Sequence, residues 1–217
     1  VTGSVLTLNM LILIWQGRWT EAESLGQRAE SVAHRVESLY LLCTSMALRN
    51  YAEWRRSRMV GARRKIQHAT RILEDRGREL FLSLYHGYLA EIAQHESDGP
   101  ALRRAVGQAL QRARQRDYLG LAMAFRALAR EALRHDRTGV RARRALRRAD
   151  WAAQRRQSVH EQILNLLTRA EVEAELHFPA AAANACREAL RLAGMIGSAW
   201  HSEEAQAVAL RWSLDLD

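Results

Sequence analysis

Ala142-Arg143-Arg144-Ala145-Leu146-Arg147-Arg148-Ala149 is the stretch that decides how this 217-residue chain folds. Its outer alanines stand seven residues apart, with Leu146 four after the first and three before the second. Offsets of three, four and seven share one face of a helix. The same arrangement returns along the chain. Ala29, Ala69, Ala109, Ala149 and Ala189 are spaced by 40 residues. Seven residues before each stand Ala22, Ala62, Leu102, Ala142 and Ala182, and three before each stand Gly26, Ile66, Val106, Leu146 and Cys186. Small residues at two fixed places on an inner stripe let a neighbouring helix approach to about 8 Å between axes. A fixed interval of this length is the mark of a repeat architecture.

The other half of each period also reads as helix, over Ser38–Trp54, Glu79–Glu96, Tyr118–Asp136 and Ser158–His177. Ala47, Gly87 and Ala127 keep the same beat there, and Leu167 breaks it. Polar or glycine-containing breaks separate the helices: Gln16-Gly17-Arg18, Arg56-Ser57, Ser97-Asp98-Gly99-Pro100, Asp136-Arg137-Thr138-Gly139 and His177-Phe178-Pro179. Asp98 suits an N-cap, and Pro100 and Pro179 suit first helical turns. Short connections force antiparallel neighbours. A hairpin with an apolar face it cannot bury alone must stack on the next. The expected fold is all-α: a right-handed superhelical solenoid of about five antiparallel hairpins plus a final helix from Ser198 to about Trp212, forming a single domain over residues 1–217.

Composition agrees. Hydrophobic residues make up 48% and charged residues 26%, with only two prolines and 6% aromatics, which disfavours a turn-rich β fold. A chain this long buries about 70% of its unfolded surface and needs no staple. Cys43 and Cys186 have no partner pattern, so a reducing, cytoplasmic setting is expected. The N-terminal residues lack a basic n-region and cleavage site, so no signal peptide is expected. The apolar run Val5–Trp15 is shorter than the roughly 20 residues a membrane span needs. It reads as a helix buried on more than one side, which an upstream repeat of a longer polypeptide would cover; a sticky exposed end is the alternative.

Gly17-Arg18-Trp19-Thr20-Glu21-Ala22-Glu23 resembles the mid-repeat turn of tetratricopeptide repeats, with Ala22 and Ala29 where that family's second helix carries paired alanines. The family period is 34, so a 40-residue period implies helices longer by about one and a half turns per pair. Longer periods of this kind resemble the solenoids of bacterial signal-transduction ATPases, including maltose-activator-type transcription regulators. The run Arg116–Arg130 is similar in texture. The hallmark aromatic and proline positions are mostly absent, and Gly26 stands where other periods carry an apolar residue. The resemblance spans about Val5 to Trp212. It implies a scaffold or sensor arm beside a nucleotide-binding domain, with upstream domains of the same polypeptide as partners. No G-x-x-x-x-G-K-[ST] motif is present.

Chemistry-bearing motifs are sparse. The eight histidines include no pair at the i, i+3 or i+4 spacing of helical metal sites, and His160-Glu161 fails as H-E-x-x-H because position 164 is Leu. Cys43 and Cys186 read as buried structural thiols. No G-x-S-x-G elbow exists. Neither catalytic residues nor cofactors nor metals are assigned, and a non-enzymatic function is expected.

Binding surfaces are better marked. Net charge is +9, carried almost wholly by arginine, since Lys65 is the single lysine. Residues 101–156 hold 16 basic and 4 acidic residues, whereas the remainder is net negative by 3. Arg137, Arg141, Arg144, Arg148 and Arg155 advance in steps of 4, 3, 4 and 7 along one helical face, broadened by Arg143, Arg147 and Arg156. This stripe suits phosphate, nucleic acid or an acidic protein surface; a solvated outer face is the plain alternative. First-of-pair helices line the concave side of related solenoids, giving columns such as Ser45, Tyr85, Phe125, Asn165 and Met46, His86, Arg126, Leu166. Arg49, Asn50, His86, Arg126, Arg130 and Arg169 are the expected recognition groups of that groove. The guanidinium fork matches carboxylates, so an acidic peptide or protein is the expected partner, with nucleic acid at the stripe as the alternative. A small molecule held between hairpins near Trp15, Trp54 or Tyr88 is a third reading.

Overall fold

A computed structural model describes residues 2–216. Among the described residues there are eleven α-helices and no strand. They pack as sequential antiparallel pairs with contacts between neighbours, consistent with a helical-repeat solenoid. The chain divides into two compact units, one up to Tyr85 and one from His86.

In the first unit, α1 (Thr2–Trp15) and α2 (Trp19–Arg35) are followed by α3 (Leu39–Ser57) and α4 (Ala62–Asp75). Helix α3 packs on α1, α2 and α4. The second unit takes most of α5 (Leu82–His95) and all of α6 (Gly99–Arg114), α7 (Leu121–Leu133), α8 (Val140–Arg155), α9 (Val159–Glu175), α10 (Pro179–Met195) and α11 (Ala199–Arg211). There α7, α9 and α11 touch one another in succession, each also packed on the second helices α8 and α10 beside it.

The small-residue beat is the packing code. Every one of its fifteen positions is buried, from Ala22, Gly26 and Ala29 in α2 to Ala182, Cys186 and Ala189 in α10. Gly26 is explained by its neighbours: a Cβ there would lie 2.7 Å from Arg49 Cβ and 2.9 Å from Met10 Cε. The first-of-pair helix therefore crosses closer here than an apolar side chain permits.

The turns repeat as well. Left-handed residues Glu37, Gly77, Gln157 and Gly197 fall at multiples of 40, and Gly17, Ser97 and His177 at multiples of 80. Behind Glu37, the Ser38 amide returns to Ala33 O at 2.9 Å, closing the helix end. Ser38, Ser158 and Ser198 then cap α3, α9 and α11 through amides three residues on. Asp98 caps α6 by accepting from the Ala101 amide at 3.0 Å, and Pro100 and Pro179 occupy first turns as expected. Helix α5 starts three residues later than the sequence pattern suggests, because Phe81 adopts φ 68° and ends the preceding turn.

Helix α1 departs from its expectation of burial on several sides. Met10, Leu11 and Ile14 are buried, but Val5, Leu8 and Ile12 are about half exposed. Cys43 and Cys186 are both buried, and burial pushes their thiols up, Cys186 to about 11.

Candidate functional site

The expected groove is largely filled. Ser45, Asn50, Tyr85, Phe125 and Asn165 are buried, as are His86 and Arg126. First-of-pair helices pack directly on each other, α3 on α1 and α9 on α7, so the face that would line a channel becomes an interface.

The arginines expected there are held by carboxylates of their own unit. In the first unit, Arg49 Nε donates to Glu30 Oε1 at 2.7 Å, and Asn50 Nδ2 donates to its own helix at Met46 O at 2.7 Å. In the second, Arg126 is 4% exposed and pairs with Glu161, 1% exposed, while its Nη1 also donates to Asn165 Oδ1 at 2.9 Å. Arg130 donates to Glu171 at 2.8 Å and to Thr168 Oγ1 at 3.1 Å. Arg169 reaches Asp150 Oδ2 at 2.5 Å, and Asp150 Oδ1 also accepts from Asn165 Nδ2 at 3.2 Å. These residues form a polar lattice joining α7, α8 and α9. Arg126 beside Glu161 keeps that carboxyl ionised against its burial, with Arg156 helping.

A second polar group sits where α9 and α11 begin. His160 Nδ1 lies 2.9 Å from His201 Nε2, and His201 Nδ1 lies 2.5 Å from Ser198 Oγ. The Trp200 ring stacks on His160. Desolvation pushes His160 down to about 3 and His201 to about 4, although Glu161 opposes both shifts. Nothing in the sequence pairs these histidines, 41 residues apart; only a return of one period plus one residue brings them together.

The basic stripe is arranged in the opposite sense. Helix α8 buries Ala142, Ala145, Leu146, Ala149, Ala152 and Ala153. Its other face presents Arg141, Arg144, Arg147, Arg148 and Arg155 to solvent, with Arg137 exposed just before the helix. None of these six makes a salt bridge among the described residues, whereas Arg143 forks onto Glu173 at 2.9 and 2.6 Å. Arg156 also turns inward, donating to Leu119 O at 3.2 Å. The stripe from Arg141 to Arg155 runs about 21 Å at 1.5 Å per residue. Trp151, 47% exposed, stands within it, with its ring edge-on to Tyr118 at 5.7 Å between centroids.

The start of α8 is fixed without any side chain of the stripe. Asp136 accepts from the Thr138 hydroxyl at 2.5 Å, the Thr138 amide at 3.0 Å and the Arg141 amide at 2.9 Å. Those hydrogen bonds, the Thr138 hydroxyl foremost, hold the Asp136 carboxyl below its usual range. Gly139 adopts φ 71° and lies against Leu176, where a Cβ would come within 2.1 Å.

Two clefts open in the first unit, both walled by Ser38 and Tyr40 at the start of α3. One, of about 480 Å³, lies toward α1 and the end of α2; the other, of about 410 Å³, lies toward the end of α4. Trp15, Trp54 and Tyr88 line neither. Among the described residues, no group of three or more His, Cys, Asp or Glu side chains is placed to hold a metal ion, and no helix is long and apolar enough to cross a membrane.

Comparison of the chain with protein-family models, curated proteins and solved structures finds no match.

Proposed function

We propose that the chain is a non-enzymatic interaction module, a tetratricopeptide-like arm of a cytoplasmic bacterial regulator, that docks an acidic protein segment on the outer face of α8. One observation carries this reading. The arginines expected in the groove are matched by internal carboxylates, whereas Arg137, Arg141, Arg144, Arg148 and Arg155 are exposed without a salt bridge among the described residues. The contacts that face makes within the fold are long ring contacts, Arg148 over Phe125 at 5.8 Å and Arg155 over Trp151 at 6.0 Å. Arg141 stands in the first turn of α8, at the positive end of the helix dipole, where a cation costs about 0.3–1 kcal/mol. Like charges at i, i+4, as in Arg144 and Arg148, cost about 0.2–0.5 kcal/mol more. Guanidinium forks spaced along about 21 Å suit a row of carboxylates.

The test is a titration with a Glu/Asp-rich peptide, followed by anisotropy of a label on the peptide. Saturable binding by the native chain, lost on combining Arg141→Gln, Arg144→Gln and Arg148→Gln while far-UV circular dichroism stays unchanged, is the expected result. Equal binding by both proteins removes this face from consideration.

The exposure of Trp151 among the arginines favours a second reading, nucleic acid, since aromatic stacking between cations suits unpaired bases. Labelled single-stranded and duplex DNA in a salt series separate the two readings. A plot of log K against log salt with a slope near −0.9 per phosphate contacted on duplex, or −0.7 on single strands, supports nucleic acid.

A further inference from the structure

We propose that the half-exposed face of α1, formed by Val5, Leu8 and Ile12, seats a further helix pair of the same repeat, preceding α1 in the polypeptide. The face is 49%, 51% and 47% exposed at these residues, and α1 contains no charged side chain.

The repeat register says what such a face is for. Forty residues on, the equivalent Ser45, Leu48 and Ala52 of α3 are buried. At a spacing of 160 they become Asn165, Thr168 and Val172 of α9. Asn165 and Thr168 there receive hydrogen bonds from Arg126 and Arg130 of the preceding first-of-pair helix, at 2.9 and 3.1 Å. Val172 packs with Ala129 of α7 and Ala142, Ala145 and Leu146 of α8. At a spacing of 200 they become Ala205, Val208 and Trp212, which lie in apolar clusters with residues of α9 and α10. In α9 and α11 the same three positions therefore meet the preceding helix pair, whereas in α7 the equivalent Leu128 and Ala132 pack on Ala142, Ala145 and Leu146 of α8 and Val172 of α9. In α1 they are apolar, as in α11, so the occupant carries an apolar forward face like that of α9 and α10 rather than the arginines of α7.

A second copy fits less well. Three side chains on one helix fall far short of the roughly 1,200 Å² that a specific interface buries. A covalently preceding hairpin needs no such area, because its neighbour is already in place.

The experiment supplies a pair of known chemistry. Residues 161–200 placed directly ahead of Val1 preserve the 40-residue register and bring Val5, Leu8 and Ile12 to the positions of Ala205, Val208 and Trp212. The extended chain is expected to unfold at a temperature several degrees higher, to bind less of the hydrophobic dye ANS and to remain monomeric. Leu8→Glu in the extended chain is expected to abolish both gains. Unchanged melting and dye binding on extension overturn the proposal. So does an unextended chain that sediments as a dimer and becomes monomeric on Leu8→Glu, since the face then belongs to a second copy.

Discussion

At the scale of single residues, the buried ion pair of Arg126 and Glu161 is the point of greatest leverage. Both side chains are almost fully shielded from solvent. Removing Arg126 leaves the buried Glu161 carboxylate with only the longer contact to Arg156 Nη1 at 3.9 Å, and breaking such a pair costs about 3–5 kcal/mol. Arg126→Met is therefore expected to lower the urea midpoint sharply, whereas combining it with Glu161→Met recovers most of the loss. Equal midpoints for the single and double variants would show that the pair is not coupled. Gly87 is a steric counterpart. A Cβ there would meet the Gly120 carbonyl oxygen at 2.7 Å and its Cα at 3.0 Å, both backbone atoms that cannot step aside. Gly87→Ala is expected to cost about 1–3 kcal/mol, read from the same denaturation curves. The histidine pair sets a pH dependence. In the fold His160 titrates near 3 and His201 near 4, against an ordinary value of 6.5. As pH falls below 6.5, the unfolded chain takes up protons that the fold refuses, so stability declines toward pH 4. Glu161, held below 4.5 in the fold, adds its own loss only under more acid conditions. Thermal melts from pH 7.5 to 5 are expected to drop steadily in the native chain and to flatten in the His160→Phe, His201→Phe double variant.

At the scale of elements, α8 shows how one helix serves two purposes. Its inner stripe is nearly all alanine, which lets α7 and α9 close on it, while its outer stripe is nearly all arginine. The two faces are separable because the helix start is fixed by Asp136 and Thr138, outside the stripe. Replacing Arg141, Arg144 and Arg148 by Gln is expected to leave the melting temperature equal or slightly raised, since like-charge repulsion is relieved. A fall of several degrees would mean that the face contributes to packing after all. The inner stripe of α8 and its exposed Arg141, Arg144, Arg147, Arg148 and Arg155 were legible in the sequence, because both depend on periodicity, whereas Arg143 and Arg156, expected to broaden the outer stripe, turn inward to Glu173 and Leu119. The groove arginines were not. The sequence placed them on an open groove face, whereas the fold buries Asn50, His86 and Arg126, and apart from Glu53, one turn from Arg49, the carboxylates that hold the arginines lie 19 to 41 residues away, on neighbouring helices or at the next period. Such pairings depend on how deeply adjacent helices approach, and a one-dimensional pattern carries no measure of that.

At the scale of the whole molecule, the chain alternates between two kinds of helix. The second of each pair, α2, α4, α6, α8 and α10, keeps an exposed face, whereas α5 up to Gln94, α7 and α9 up to Ala174 show no fully exposed residue. Within the second unit, hydrogen exchange is therefore expected to be slowest in α7 and α9 and faster in α6 and α11. Uniform exchange across these helices would contradict the assignment of inner and outer layers.

By itself the sequence determined the number of helix pairs, their 40-residue spacing, the fifteen inward positions and the arginine face of α8. All of these follow from local periodicity, which the backbone obeys whatever surrounds it. Only the tertiary structure decided that first-of-pair helices would press against one another, closing the expected groove around Arg126 and joining His160 to His201. That outcome depends on crossing distance between helices, which side-chain volumes such as Gly26 and Gly87 set collectively and no single period reveals.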